Sequence, residues 1–174
     1  QVTIASGFPK GDKLEFITQK VTELGASHIW AFPADWSVAK WDGKKLVKKV
    51  EKLEKIALGA AEQSKRNLVP SITLFEKKSD FLVQLDQFDR IVVAYEESAK
   101  EGEAATLIRS LTGLEAGSKL LFIFGPEGGL SPAEIDSFEA KGAVLAGLGP
   151  RILRAETAPL YALSAVSVVT ELMN

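Results

Sequence analysis

Two loops carry the residue types that could do chemistry. The first runs Phe124-Gly125-Pro126-Glu127-Gly128-Gly129-Leu130-Ser131-Pro132-Ala133-Glu134, and the second Leu148-Gly149-Pro150-Arg151-Ile152-Leu153-Arg154-Ala155-Glu156-Thr157-Ala158. Each follows a short apolar run and leads into a helix-like segment. Three glycines in the first let backbone approach a ligand with no Cβ in the way. The second sets two arginines and a glutamate among apolar neighbours, where uncompensated charge is costly. Loops of this kind at the ends of neighbouring strands imply one composite site. Two readings of Arg151 and Arg154 stand: partners of Glu156 in a stiffened loop, or cations aimed at a ligand. Ser131, Pro132 and Glu134 sit at the N-cap, N1 and N3 positions of a complete helix start, which by itself accounts for Ser131. Gly128 and Gly129 make either a plain turn or a ligand wall.

Other chemistries fail on these residues. The first loop lacks the Gly-Lys-Ser/Thr ending of a P-loop and the GxGxxG spacing of a dinucleotide site, and no Gly-x-Ser-x-Gly elbow occurs. Cysteine is absent and the single His28 reads as a structural strand residue. Neither a clustered metal site nor a nucleophile–histidine pair is expected. A bound cofactor and positioning remain as the source of catalysis.

The elements that must position these loops alternate along the 174 residues. Strands are expected at Val2–Ala5, His28–Phe32, Ser71–Phe75, Arg90–Tyr95, Lys119–Phe124 and Ala143–Ala146. Between them, helical spacing covers Leu14, Ile17, Val21 and Leu24, with Asp12 and Glu15 as a capping box, and then Leu46, Val50, Leu53, Ile56, Ala57 and Ala60. Further helices are expected at Asp80–Leu85, Ala104–Leu111, Pro132–Ala140 and Ala158–Met173. The alternation implies one α/β domain, a mostly parallel sheet flanked by helices, with ligands beyond the carboxyl ends of its strands. Tyr95-Glu96-Glu97 lies at such an end.

Lys and Arg total 21 against 23 Asp and Glu, so no basic excess marks the whole chain. Lys40 to Lys55, with Lys65 and Arg66, is nonetheless basic, either a solvated helix face or a phosphate-facing surface. The apolar segment 158–173 is too short and too interrupted to span a bilayer. A reducing cytoplasm fits the lack of cysteine, and cytoplasmic location is the expectation. The chain starts without Met inside a strand-like run, and a missing N-terminal portion is expected.

The two loops closely resemble the signatures of the RsmE-type methyltransferases, which modify uridine N3 in small-subunit ribosomal RNA. That family shows a Gly-Pro-Glu-Gly-Gly-hydrophobic-Ser loop, then Leu-Gly-x-Arg-Ile-Leu-Arg-x-Glu-Thr-Ala running into Ala-Leu-Ser. Here these are Gly125–Ser131, Leu148–Ala158 and Ala162-Leu163-Ser164. Pro9–Lys13, Thr22–Gly25, Ser37–Lys40 and Ala60–Ser64 are similar too. The resemblance implies the SPOUT class, an α/β fold whose C-terminal segment forms a deep trefoil knot, an exception to the no-knot rule.

It further implies S-adenosyl-L-methionine as cofactor, cradled by Tyr95 and Glu96, by Phe124, Gly125, Pro126, Glu127, Gly128 and Gly129, and by Leu148, Gly149, Arg151, Ile152, Leu153, Thr157 and Ala158. Arg154 and Glu156 are the implied catalytic residues. The implied partners are 16S rRNA or the small ribosomal subunit and a second copy bound through the last helix, with neither metal nor membrane. The family's N-terminal PUA-like RNA-binding barrel has no counterpart in these residues. Trp36 stands where many members carry Arg, and Lys65 where Gly is common, both in segments expected to face RNA. A SPOUT enzyme of other specificity, such as ribose 2′-O methylation, and a non-catalytic RNA-binding module are the alternatives.

Overall fold

The computed structural model describes residues 1–95 and 106–173. Six strands, β1 (Val2–Gly7), β2 (His28–Phe32), β3 (Ser71–Leu74), β4 (Arg90–Ala94), β5 (Leu120–Phe124) and β6 (Val144–Ala146), form one sheet in the order β3-β2-β1-β5-β4-β6. Every pairing is parallel. Helices α1 (Lys13–Glu23), α2 (Gly43–Gln63), α3 (Lys78–Gln84), α4 (Thr106–Leu111), α5 (Pro132–Ala140) and α6 (Ala158–Ser167) flank it.

The central strands are buried on both faces, which is why β5 reads as the unbroken apolar run Leu-Leu-Phe-Ile-Phe. Side chains alternate between two cores. Ile4, Val92, Phe122 and Phe124 meet α1, α4 and α6 through Ile17, Val21, Leu107, Leu111, Leu163 and Val166. Ala5, Val93, Leu121 and Ile123 meet α3 and α5 through Phe81, Ile135 and Phe138. On that second face Phe81 stacks on Phe32, with centroids 4.3 Å apart, and meets Phe138 edge-on. Helix α2 lies beside α1 over β2 and β3, its Leu46 and Leu53 packed with Phe8, Leu14 and Ala31.

Several expectations shift. The capping box at Asp12 does not form: no side-chain bond caps α1, and Glu15 instead lies 3.6 Å from Lys52 of α2. Val50 and Ile56 are only half-buried, because α2 meets α1 along a narrower stripe of Leu46, Leu53, Ala57, Ala60 and Ala61. The last helix is not uniform. Past Ser167 it widens into a π-helical stretch, Val168–Leu172, in which no residue is buried. The largest change concerns the two signature loops. Their strands, β5 and β6, are not neighbours, for β4 lies between them and pairs with both. No described helix is long and apolar enough to cross a membrane.

Candidate active site

A cavity of about 600 Å³ opens beyond the carboxyl ends of β4, β5 and β6. Tyr95 continues β4 and donates its N–H to Ala146 O at 3.0 Å, so the tip of β4 forms the floor between the two loops. Phe124 and Gly125 leave β5, and a tight turn follows in which Gly129 N–H donates to Pro126 O at 2.8 Å. Gly129 has φ +83°, with open space where a Cβ would stand. A Cβ on Gly125 would come within 3.0 Å of Gly129 C and Leu130 N, so the loop folds back on itself only because that position is bare.

The second loop forms the opposite wall. Gly149 has φ +84°, and a Cβ there would meet Tyr161 Oη of α6 at 2.9 Å. Leu148, Leu153 and the strongly exposed Ile152 give this wall its apolar surface, with Arg151 beside them. The backbone N–H groups of Leu148, Gly149, Ile152 and Leu153 bond to no other backbone group among the described residues. The Arg154 carbonyl is fixed, accepting from Thr157 N–H at 3.0 Å and Ala158 N–H at 3.1 Å. Arg154 lines the cavity, and its guanidinium forms no ion pair among the described residues.

Of the expected site residues, Tyr95, Phe124, Gly125, Pro126, Glu127, Gly129, Leu148, Gly149, Arg151, Ile152, Leu153, Arg154 and Ala158 line this cavity. Gly128 does not, since its Cα faces Trp36, where a Cβ would press on Trp36 O at 3.2 Å. Thr157 occupies the N-cap position of α6, with no side-chain cap, outside the lining. Glu156 turns away from Arg154 toward an adjoining cavity, with Oε2 at 3.9 Å from Lys13 Nζ. Glu96 lies outside the described residues.

Lys13, Trp36, Ala94, Leu130, Pro132 and Ala155 join the lining although the sequence did not mark them for it. Lys13 stands between the two loops: its Nζ donates to Glu127 Oε2 at 2.9 Å, whereas buried Glu156 Oε2 has no hydrogen-bond partner among the described residues. Lys10 N–H donates to both Glu127 oxygens, at 3.2 and 3.1 Å. Burial would raise the Glu127 pKa, but the Lys13 hydrogen bond and the backbone N–H groups outweigh it and hold the carboxyl below its usual range. No cluster of three His, Asp or Glu that could hold a metal ion occurs among the described residues.

Ser131 has the structural role that its spacing implied. Its Oγ accepts from Glu134 N–H while Glu134 Oε1 accepts from Ser131 N–H, a complete capping box. The other oxygen of buried Glu134 accepts from Asp35 N–H at 2.9 Å and from Lys78 Nζ at 3.2 Å. His28 is also structural, with Nδ1 2.6 Å from Ser71 Oγ across β2 and β3.

The family profile of the RNA methyltransferase domain matches residues 1–167. The chain is 54% identical over its whole length to the ribosomal RNA small subunit methyltransferase E of Bacillus subtilis, covering 68% of that protein. Among solved structures it is similar to a Legionella pneumophila methyltransferase with bound SAM, at TM-score 0.80 and 27% identity over 97% of this chain and 66% of that one. It is similar also to the ribosomal RNA small subunit methyltransferase E of Neisseria gonorrhoeae bound to S-adenosyl methionine, at TM-score 0.75 and 26% identity over 97% of this chain and 66% of that one. The chain thus spans about two thirds of the length of these relatives. With its two loops, its parallel sheet and these matches, the chain belongs to the RNA methyltransferase domain family, in the ribosomal RNA small subunit methyltransferase E group.

Proposed function

We propose that this domain methylates N3 of a uridine in small-subunit (16S) ribosomal RNA, using S-adenosylmethionine. The observation that carries the reading is the shared cavity. It combines bare backbone at Gly125, Gly129 and Gly149 with N–H groups in the second loop that have no backbone acceptor, and an Arg154 guanidinium that has no ion-pair partner, among the described residues. Its volume suits a small-molecule site of roughly 300–1,000 Å³. The residues fit the cofactor. Leu148, Ile152 and Leu153 offer an apolar wall for adenine, and the adjacent N–H groups offer donors for its ring nitrogens and ribose oxygens. When bound, S-adenosylmethionine supplies a methyl group activated by a sulfonium.

The chain's own residues do the rest. Uridine N3 carries a proton at neutral pH, and its loss leaves negative charge on O2 and O4. Arg154, with its main chain anchored and its side chain in no ion pair among the described residues, stabilises that charge electrostatically. Glu156 acts at one remove, on Lys13 rather than on Arg154. Lys13 in turn holds Glu127, and so the first loop, against α1. The last helix packs on α1 and β5, and in this reading it is the segment that forms the C-terminal knot. Exposed Val168, Leu172 and Met173 at its end suit a homodimer interface. Cytoplasmic location follows from a ribosomal substrate.

The test is mass spectrometry of small-subunit RNA from cells lacking the protein, before and after treatment with it and S-adenosylmethionine. A new N3-methyluridine is the expected product. A methyl group on a ribose oxygen would overturn the specificity, and no product with no cofactor binding by calorimetry would overturn the enzyme.

A further inference from the structure

Trp36 is placed unlike the other two tryptophans. Trp30 is buried at 8% exposure, ringed edge-on by Phe75, Phe81 and Phe88. Trp41 packs on Phe8 at 4.4 Å with Lys49 over its ring. Trp36 is 50% exposed, lines the cavity between the two loops, and makes no ring or cation contact among the described residues. A polar residue on a surface loop would avoid leaving that much apolar indole in water.

The loop nevertheless holds Trp36 firmly. The preceding residue, Asp35, donates its N–H to buried Glu134, and its carboxylate takes hydrogen bonds from Lys78 Nζ and Ser131 Oγ. The Lys78 and Ser131 bonds hold the Asp35 carboxyl below its usual pKa, so it stays ionised and the clamp closed at neutral pH. The following residue, Ser37, donates its N–H to Ala34 O at 3.0 Å, closing a turn around the tryptophan. Gly128 lies against Trp36 Cβ and backbone, where a Cβ would come within 3.3 Å. An exposed aromatic on a pinned turn, in a cavity whose lining also carries Arg151 and Arg154, is the combination that receives single-stranded nucleic acid: a π-face for a base and cations for the backbone.

We infer that Trp36 is the stacking platform for an RNA base entering the cavity, and so a substrate-positioning residue that leaves the cofactor untouched. The inference rests on the methyltransferase reading above. Ionised Asp35, buried Glu134 and the Ser131 cap form the positioning network that aims it.

The experiment measures kcat and KM for small ribosomal subunits from cells lacking the protein, using the intact protein and its Trp36→Ala and Trp36→Phe variants. Cofactor affinity is measured by calorimetry in parallel. Loss of one aromatic–base stack corresponds to about tenfold. Trp36→Ala is expected to raise KM for the subunit about tenfold with S-adenosylmethionine affinity unchanged, and Trp36→Phe to restore most of it. An unchanged KM in Trp36→Ala overturns the inference while leaving the activity in place. So does a parallel loss of cofactor affinity, which makes Trp36 a cofactor wall, or a changed oligomeric state, which makes it an interface residue. A wild-type protein that neither binds cofactor nor methylates the subunit overturns the underlying reading instead.

Discussion

Lys13 Nζ stands 2.9 Å from Glu127 Oε2, tying the first turn of α1 to the loop after β5 across 114 residues of sequence. That bond and the backbone donors keep the Glu127 carboxyl below the ordinary glutamate range. A carboxyl depressed in the folded state contributes stability that is present above its unfolded pKa and lost as pH falls through the folded one. Glu127→Gln should therefore lower the melting temperature at pH 7, and the gap from wild type should narrow as pH falls below about 4.3. Thermal melts of both proteins at neutral pH and in acid below that point check this. A gap of constant size would show that the Lys13 pair adds nothing.

Arg154→Ala should slow methylation about tenfold to a hundredfold, the loss of one charge-assisted hydrogen bond of about 1.5–3 kcal/mol. Its guanidinium has no ion-pair partner among the described residues, so the melting temperature should stay within about a degree. Single-turnover rates on intact subunits report the loss, and wild-type rates would remove Arg154 from the reaction.

Gly149→Ala meets two obstacles that can be separated. Its φ of +84° costs an L-residue about 1–2 kcal/mol, and its new methyl would stand 2.9 Å from Tyr161 Oη. Cofactor affinity and stability should both fall. Adding Tyr161→Phe removes the hydroxyl and should restore part of the stability, leaving the backbone cost. Denaturant titration of the single and double variants separates them. No recovery would show that the collision is relieved elsewhere.

Lys65 is the one non-glycine among the described residues with positive φ, at 60°. The turn after α2 thus places Lys65 in the left-handed region, which glycine adopts without strain. Lys65→Gly should raise stability by up to about 1 kcal/mol, the left-handed relief less the entropy of a freer unfolded chain. Chemical denaturation measures it directly, and a loss of stability would mean that the lysine side chain contributes more than its backbone costs.

Glu134→Ala should be the most destabilising of these changes, by about 2–4 kcal/mol, since it removes the reciprocal half of the capping box and leaves the Ser131 and Asp35 N–H groups without acceptors. The midpoint of urea unfolding reads this out. A shift below about 0.5 kcal/mol would mean that water replaces the carboxylate.

The strands were legible because parallel strands covered on both faces become apolar runs, as at Leu120–Phe124 and Arg90–Ala94. The Ser131 cap was legible because its partners lie three residues apart. Both signature loops were legible by composition, and most of their residues do converge. The order of strands was not, because pairing between β4 and β6 leaves no local trace. Neither was the choice of Glu156 for Lys13 over nearby Arg154, a preference set by where α1 comes to rest. Lys13 and Trp36 escaped as cavity residues for the same reason: the fold carries them there from the opposite half of the sequence.

Because β4 stands between the strands that carry the two walls, the slot has a fixed gauge. Two ladder spacings, roughly 10 Å, set the distance between the jaws, and hydrogen bonds along three strands hold it. Exchanging side chains on the loops leaves the separation of the strands that carry them unchanged. A slip of β4 by one residue would leave that width intact yet turn Tyr95 to the far side of the sheet, so the strand works as a spacer whose register, not its thickness, sets what the slot admits.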